Sequence, residues 1–278
     1  MPRAQNNGYS HLLFGHTYTE KADPAQFERH CHANYEMLYV LRGNGKYVVE
    51  GAEYPLKPHT LILIRPYEFH YVCPDKNCTY ERYVINFDGN ILIGAAAELS
   101  ILQNDTQKKH GVYFSEEHLT SQIRAEFYGM DEARKLFAEK ANRAAMEETM
   151  IRTALTRVLL LLSLADRTEG AEYEENVITR VTEYLDLHLT DNFSLDKIAQ
   201  LFFVSKYYLC HAFREQNGTS IFAYLTVKRI AMAQRLLLSG EPATSVAYQV
   251  GFRNYSSFYR AYCKQTGKAP AHRRETNA

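Results

Sequence analysis

The sequence predicts an α+β protein made of an N-terminal β-barrel or sandwich and a C-terminal all-α domain. The chain has 278 residues, which at about 150 residues per domain is enough for two separate hydrophobic cores. Short strands at close spacing precede Phe87, whereas residues 177–274 have helical periodicity. About a hundred residues at the C-terminal end also contain an internal repeat. These observations together favour one β-rich and one helical domain.

Strand signals fill the segment from about Tyr9 to Phe87. Residues 36–41 read EMLYVL and residues 46–50 read KYVVE, and RGNG joins them. The apolar run TLILI at residues 60–64 ends before Pro66. We therefore expect several short strands that close on a common core.

After Gly94 the pattern becomes helical, with predicted helices over residues 119–129 and 130–165. The second helix ends in the apolar run Val158–Leu164, which has to pack against something. Two interpretations stay open for this run, the core of the domain and the seam of a homodimer. Residues 166–176 (DRTEGAEYEEN) are acidic and polar, which predicts an interdomain linker.

Composition excludes several classes of protein. Hydrophobic residues make up 46% and charged residues 23%, which is typical of a folded, water-soluble chain. No apolar run approaches the roughly 20 residues that span a bilayer, and the N-terminus lacks the pattern of a secretory signal. The five cysteines include no Cys-x-x-Cys pair, which argues against a disulfide framework or a cysteine zinc site. We therefore expect a cytoplasmic protein with reduced thiols.

The formal net charge is zero, but the charge is unevenly distributed. From Val177 onward, 13 Lys and Arg residues face 7 Asp and Glu residues, a net of +6, so residues 1–176 carry −6. Such an asymmetry suggests that the C-terminal domain attracts a polyanion.

The C-terminal repeat aligns Ala199 with Ala247 and Gly218 with Gly267. Each copy reads as a helix, a short turn, a capping residue (Ser205 or Asn254) and a second helix closed by glycine. This order of elements is that of a helix-turn-helix. A helix over residues 220–239, about 30 Å long, would set the two second helices roughly one DNA turn apart.

The outward faces of the two second helices are rich in hydrogen-bonding groups, which predicts contact with DNA. The predicted DNA-binding residues are Tyr207, Cys210, His211, Arg214, Tyr255, Ser256, Tyr259 and Arg260. Arg260 is the best candidate for reading a base, since a guanidinium group can bond guanine O6 and N7 together. Arg214, on a later turn, is as well placed to meet phosphate. The alternative interpretation is that these faces are polar only because they are exposed to water.

Over about 100 residues this region resembles the tandem helix-turn-helix signature of AraC/XylS-type transcription regulators. The matching segments include SLDKIA at 194–199, RI at 229–230, GFRN at 251–254 and GKAP at 267–270. Departures are small: Tyr262-Cys263 stands where the family usually has Phe-Lys, and Ala271-His272 precedes the final Arg.

The N-terminal half is similar to the usual sensor of that family, a cupin barrel. HCHANYE at residues 30–36, with Gly43 following, resembles the first cupin motif, and PYEFH at residues 66–70 resembles the second. The resemblance implies a cupin-like sensor at 1–110, a helical dimerisation segment at 111–165, a linker at 166–176 and the DNA-binding domain at 177–278.

His30, His32 and Glu36 are separated by even numbers, so on an extended strand their side chains share one face, where His70 could join them. Such a set suits a transition metal, and the corresponding function would be a metal-dependent dioxygenase or isomerase. The second interpretation is an effector pocket that also uses Arg65 and either Tyr39 or Tyr83. The third is a set of structural histidines.

The family resemblance implies that this pocket works without a metal, so we predict no cofactor. The predicted effector-binding residues are His30, His32, Glu36, Arg65 and His70, of which all but Arg65 would be the ligands if a metal were bound.

The prediction as a whole is a cytoplasmic transcription regulator, not an enzyme, whose cupin-like domain senses a small molecule. The sequence does not identify this effector, and the family resemblance implies that a sugar or a sugar derivative is the leading candidate. Its expected partners are promoter DNA, RNA polymerase and a second copy of the chain, with no membrane. The sequence leaves open whether the protein raises transcription, as an activator, or lowers it. The alternatives are a cupin metalloenzyme fused to a DNA-binding domain and an architectural DNA binder without a ligand.

Overall fold

The structure of the protein is a computed structural model that describes residues 12–92, 102, 112–114, 117–137, 141–164 and 176–270. The chain divides into two compact units, Met1–Tyr173 and Glu174–Ala278. In the described residues the first unit holds all the strands and two α-helices, and the second holds only helices. The predicted α+β class is thus confirmed. The predicted boundaries at 110/111 and 165/166, and the linker apart from Asn176, lie outside the described residues.

The described strands of the first unit are β1 (Leu12–Thr19), β2 (Tyr35–Arg42), β3 (Gly45–Val49), β4 (Ala52–Leu56), β5 (Leu61–Ile64), β6 (His70–Pro74), β7 (Tyr80–Phe87) and β8 (Val112–Phe114). They form a five-stranded sheet in the order β1-β7-β2-β5-β8 and a three-stranded sheet in the order β4-β3-β6. Every pair is antiparallel. The two sheets pack face to face, so the described strands form a two-sheet β-structure and not one continuous closed barrel.

The core between the sheets comes from alternate residues of strands in both. It includes Leu38, Val40, Tyr47, Val49, Tyr54, Ile62, Val72 and Tyr80. Alternation along β2 sends the residues between these, such as Met37 and Tyr39, to the other face of the five-stranded sheet, where a second core lies.

The segment that joins β2 to β3 carries the chain from one sheet to the other and does not close a hairpin. Gly45, the first residue of β3, lies close against the end of β6. Its φ is +137°, and a Cβ there would lie 2.3 Å from the carbonyl oxygen of Cys73 on β6, so only glycine fits.

Helices α1 (Glu117–Leu136) and α2 (Arg143–Leu164) cover the outer face of the five-stranded sheet. The predicted helix boundary between Gly129 and Met130 was wrong, because α1 runs through it. The apolar stripe of Ile123, Phe127 and Met130 continues through that point, and an added Cβ at Gly129 would meet nothing within 4 Å. Because the glycine is on the outer side of α1, it costs the helix little and does not end it.

The apolar run at the end of α2 belongs largely to this second core. Val158, Leu159 and Leu162 are at most 1% exposed, whereas Leu160 is 40% exposed on the opposite side of the helix. The core interpretation therefore accounts for most of the run, and Leu160 is left for any contact outside the chain.

The helices of the second unit are α3 (Val177–Leu187), α4 (Leu195–Leu201), α5 (Lys206–Asn217), α6 (Ile221–Leu238), α7 (Ala243–Gln249) and α8 (Tyr255–Thr266). Helices α4 and α5 form the first predicted helix-turn-helix, and α7 and α8 form the second. Helix α6 connects them with its predicted apolar residues Ile230, Ala233 and Leu237 buried against the second copy. Among the described helices, none is both long and apolar enough to cross a membrane.

Candidate functional site

Four side chains of the first unit converge at one end of the space between the sheets. His30 lies before β2 and is tied to His70, the first residue of β6, by an isolated antiparallel bridge. His32 lies in the loop that follows His30, and Glu36 is the second residue of β2. One ligand atom from each of these residues lies within 4.8 Å of every other. The structure thus brings together the four residues that the sequence analysis named as alternative metal ligands.

The backbone feature that brings these side chains together differs from the predicted one. The even spacing of His30, His32 and Glu36 predicts one face of an extended strand, but β2 begins only at Tyr35. It is the bridge to His70 that turns the loop back over the end of β2, because each residue of the bridge donates its N–H to the carbonyl of the other.

Within the group, His32 Nε2 lies 3.1 Å from one carboxylate oxygen of Glu36, and His70 Nε2 lies 4.0 Å from the other oxygen. His70 is fully buried, Glu36 is nearly so, and His30 faces solvent. Tyr47 donates its hydroxyl hydrogen to Glu36 at 3.2 Å, which fixes the carboxylate from the interior side.

The outer nitrogen of each imidazole is held by the backbone. The acceptors of the Nδ1 hydrogens of His30, His32 and His70 are the carbonyl oxygens of Glu28, Asn34 and Glu68, at 2.9, 2.9 and 2.8 Å respectively. All three Nε2 atoms are left for the centre of the group. In the described structure His70 Nε2 is buried and has no hydrogen-bond partner.

The environment fixes the charge of the two buried members. Burial alone would raise the pKa of Glu36, but the hydrogen bond with His32 and the neighbouring imidazoles lower it to about 2, so the group is a carboxylate at neutral pH. Burial lowers the pKa of His70 to about 4, so this ring is neutral there. The group therefore combines one negative charge with neutral imidazole nitrogen.

Three polar residues that the sequence analysis did not name line the same interior: Tyr47, Tyr80 and Arg82. The guanidinium group of Arg82 lies 4.4 Å from the ring centre of Tyr80, and both side chains are at most 4% exposed. Arg82 Nη1 and the Tyr80 hydroxyl are buried without a hydrogen-bond partner in the described structure. Tyr47 and Tyr80 belong to the same buried cluster between the sheets, where Tyr47 bonds to Glu36. Burial is the main cause that raises the pKa of both hydroxyl groups; the charge on Glu36 raises the pKa further, and the charge on Arg82 lowers it.

The sequence carried one signal for Arg82. Arg82 alternates with Tyr80 and Val84 on the same face of β7, so a charged residue occupies a core position of that strand. The pairing of Arg82 with Val40 on β2 is what places it beside the other groups, and this pairing is not readable from either strand alone.

Arg65, predicted as an effector contact, lies outside the convergent group. Its guanidinium group is buried and pairs with Glu68 at 3.3 Å, while the Glu68 backbone holds His70. Tyr39 and Tyr83, considered as further pocket residues, face the second core, where both rings stack on Phe127 of α1. Alternation along β2 explains this correction, since Tyr39 and Glu36 have opposite parity.

In the second unit, the predicted caps of α5 and α8 are confirmed. Ser205 Oγ and Asn254 Oδ1 accept hydrogen bonds from the first turns of α5 and α8 at 3.1 and 2.8 Å. Gly218 and Gly267 end these helices in the left-handed conformation with φ of +69° and +72°. The repeat in the sequence is therefore a repeat of structure.

The predicted DNA-contacting residues form the outward faces of α5 and α8. All of them are exposed except Tyr255, which is half-buried and packs on Phe258. Arg214 and Arg260 make no ion pair within the described residues, so both charges are available to a partner. His211 and Tyr207 stack on each other at 6.1 Å.

Arg229 of α6 ties the two helix-turn-helix copies together. Its guanidinium group donates to the carbonyl oxygens of Leu189, Asp191 and Gly251, at 2.8, 2.6 and 2.8 Å. The first two acceptors precede α4 and the third lies in the turn between α7 and α8. One side chain thereby fixes the position of one copy relative to the other.

The fold and the two sites define a DNA-binding transcription regulator with a ligand-binding domain. Comparison with known families agrees at both ends of the chain. An AraC-like ligand binding domain matches residues 15–148, and a helix-turn-helix domain matches residues 198–276. The chain belongs to the AraC family of transcription regulators.

Relatives are similar over most of their length. The uncharacterized HTH-type transcriptional regulator YbfI of Bacillus subtilis is 24% identical over 239 residues, which cover 86% of this chain and 84% of the relative. The HTH-type transcriptional activator RhaS of Escherichia coli O6:H1 is 24% identical over 256 residues, which cover 88% of this chain and 87% of the relative. Among solved structures, apo ToxT from Vibrio cholerae aligns with a TM-score of 0.41 and 13% identity, over 94% of this chain and 96% of that one.

Proposed function

We propose that the protein binds promoter DNA through α5 and α8 and that a small polar molecule, held between the two sheets, changes this binding. The proposed effector carries hydroxyl or carboxylate oxygens, as a sugar or a sugar derivative does. The observation that carries the proposal is the interior formed by Glu36, Tyr47, Tyr80 and Arg82, where two buried polar atoms have no partner in the described structure.

Buried polar groups are rarely left unpaired, because each costs about 1–3 kcal/mol. A ligand oxygen can accept from both Arg82 Nη1 and the Tyr80 hydroxyl, and Glu36 can accept from a ligand hydroxyl group. His30, His32 and His70 complete the proposed site at its open end. Arg65 would act there by holding Glu68 and, through it, the position of His70.

At the DNA, we propose that Arg260 reads a base and that Arg214 contacts phosphate. Tyr207, Cys210 and His211 of α5 and Tyr255, Ser256 and Tyr259 of α8 would complete the two contact faces. Helix α6, 18 residues or about 27 Å long, supports a spacing close to one turn of DNA. The positive charge of this half of the chain adds the attraction to phosphate.

For assembly, we propose a homodimer formed through the outer face of α2. Met146, Met150 and Leu160 are 39%, 46% and 40% exposed, and helical geometry places them within one narrow arc. This stripe lies opposite the face that packs on the sheet. In a two-fold dimer each chain would contribute the same stripe.

We further propose that the protein acts in the cytoplasm, recruits or contacts RNA polymerase, and is not an enzyme. Its relatives are transcription regulators, and those named RhaS are activators, which favours activation here too. The dioxygenase or isomerase reading has no such support.

The test is a thermal-shift screen of the full-length protein against sugars and sugar acids. A ligand at 100 times its Kd should stabilise the protein by about 2.7 kcal/mol. Tyr80→Phe removes only the buried hydroxyl, so it should leave the ligand-free melting temperature unchanged or higher while reducing the ligand shift. Tyr39→Phe, which loses a hydroxyl bonded to His59 on the other face of the sheet, is the matched control. If the ligand raises the melting temperature of both variants equally, the effector binds elsewhere.

A further inference from the structure

Two arginine side chains are buried in the described part of the first unit, and they differ in whether an acid neutralises them. Arg65 is 3% exposed and pairs with Glu68 at 3.3 Å. Arg82 is 4% exposed, makes no ion pair within the described residues, and has a buried Nη1 atom without a hydrogen-bond partner there. Because an unpaired charge is costly to bury, Arg82 calls for an anion.

The acidic residues beside Arg82 and in the same interior already have other partners. Glu81, next to Arg82 in the chain, points to the opposite face of β7 and contacts a histidine and an arginine there. Glu36 is in contact with an imidazole ring and a tyrosine hydroxyl group. The buried Glu50 accepts a hydrogen bond from a backbone N–H at 2.9 Å. The described residues therefore supply no acid for Arg82.

Aromatic rings lie against the guanidinium group but do not replace an anion. The central carbon of this group is 4.4 Å from the ring centre of Tyr80 and 5.4 Å from that of Phe27. The attraction of a cation to an aromatic face is smaller than the cost of burying an unpaired charge. The Tyr80 hydroxyl group is also buried without a partner in the described structure. Both unsatisfied groups can donate hydrogen bonds, as recognition of an anion requires.

We propose that the effector is a hydroxy acid with a single negative charge, whose carboxylate group binds Arg82. This rests on the proposed function, because it specifies the ligand of the same interior. A carboxylate matches the planar guanidinium group, since its two oxygens can accept two parallel N–H groups. A neutral sugar would leave the charge of Arg82 unpaired.

Glu36 restricts the other end of the ligand. Arg82 pairs with Val40 on β2, four residues beyond Glu36, which separates the two backbone positions by about 13 Å. One ligand can therefore place different groups at Arg82 and at Glu36. Because Glu36 is itself a carboxylate at neutral pH, it repels a second acidic group and accepts hydrogen from hydroxyl groups. The interior thus selects sugar acids with one carboxylate over neutral sugars and over dicarboxylates.

The experiment measures the melting temperature of the full-length protein with matched probes at equal concentration and ionic strength. The probes are D-gluconate and D-galacturonate, the neutral sugars D-glucose and D-galactose, and the dicarboxylates D-glucarate and galactarate. Formate, the smallest carboxylate, tests the Arg82 end alone against chloride. We expect formate and at least one of the two monocarboxylates to raise the melting temperature. The matching neutral sugar and dicarboxylate should bind about tenfold more weakly or worse.

Arg82→Met removes the charge and keeps a side chain of similar length. Since the charge is unpaired in the ligand-free protein, this variant should have a higher melting temperature and should lose the response to formate and to the sugar acids. Arg65→Met is the matched control. It makes the same change at an equally buried arginine but breaks the ion pair with Glu68, so it should have a lower melting temperature.

The proposal is overturned if Arg82→Met lowers the ligand-free melting temperature, because the guanidinium group is then a structural part of the core. It is also overturned if neither formate nor a monocarboxylate stabilises the protein, or if their effect persists in Arg82→Met. A neutral sugar that stabilises the unchanged protein and Arg82→Met equally would overturn the acidic ligand and keep the proposed function. A sugar acid that binds through Arg82 without changing the affinity for operator DNA would keep the binding site and remove its regulatory role.

Discussion

His30 and His70 exchange two backbone hydrogen bonds, of 3.1 and 2.9 Å, and their imidazole rings lie 4.4 Å apart. The two residues are 40 positions apart in the chain, so this bridge fixes the loop before β2 onto β6. The backbone pairing therefore sets the positions of His30 and His70 without requiring a contact between their side chains. Substitution of a side chain in the group should therefore change its chemistry without changing the fold.

The first prediction uses this independence to test the proposed switch. Glu36→Gln keeps the shape of the side chain but removes its negative charge, so it should weaken effector binding and the transcriptional response. Ligand-free DNA affinity should stay within about twofold. The coupling free energy between the two sites, typically about 1–3 kcal/mol, contributes to DNA binding only when the effector is bound. Calorimetry for the effector and gel-shift titration for the DNA measure the two quantities.

Coupling between the sites must also be reciprocal. Operator DNA should shift effector affinity by the same factor by which the effector shifts DNA affinity. If Glu36→Gln and His32→Ala leave the transcriptional response unchanged, the group is not the sensor and its histidines are structural.

Local signals made much of the fold predictable, and pairing between distant segments made the rest unpredictable. Ser205 and Gly218 mark the ends of α5 because capping depends on a few neighbouring residues. Arg82, in contrast, becomes a site residue only through the register of β7 on β2. His30 was correctly predicted to join the group, but the reason given was wrong. The prediction assumed an extended strand through His30, His32 and Glu36, whereas the backbone bridge to His70 places His30 there.

The second prediction separates base reading from phosphate contact. Arg260→Ala should cost about 1–3 kcal/mol on the cognate site and relax the preference for one base, because a bidentate contact is lost. Arg214→Ala should weaken binding to all sequences similarly and reduce its salt dependence. Both side chains are exposed, so neither variant should unfold. Equal losses on cognate and random DNA for Arg260→Ala would remove it from the reading role.

The third prediction concerns the dimer. Leu160→Asp should give a monomer that still folds, because Leu160 is 40% exposed and the change acts twice in a two-fold interface. Leu159→Asp is the matched comparison: this side chain is fully buried against the sheet, so the variant should fail to fold. Sedimentation or light scattering gives the mass, and circular dichroism gives the folded state. A folded Leu160→Asp dimer would place the interface elsewhere.

The fourth prediction concerns the turns of the two helix-turn-helix copies, where Phe203 and Gly251 occupy equivalent positions. Each donates its N–H to the third residue before it, and both have a positive φ, +54° for Phe203 and +87° for Gly251. A left-handed backbone costs a residue with a side chain roughly 1–2 kcal/mol. The ring of Phe203 is 96% exposed, so almost no burial compensates for this cost.

Phe203→Gly should therefore raise the free energy of unfolding by about 0.5–1 kcal/mol, since glycine adopts this conformation without strain. Gly251→Ala is the reverse test. Its Cβ would lie 2.6 Å from the carbonyl oxygen of Thr190, so this variant should lose about 1–3 kcal/mol. Urea unfolding of the full-length protein, followed by helix signal, measures both changes. A loss of stability in Phe203→Gly would show that the ring is packed in solution and that its contacts outweigh the strain of its backbone.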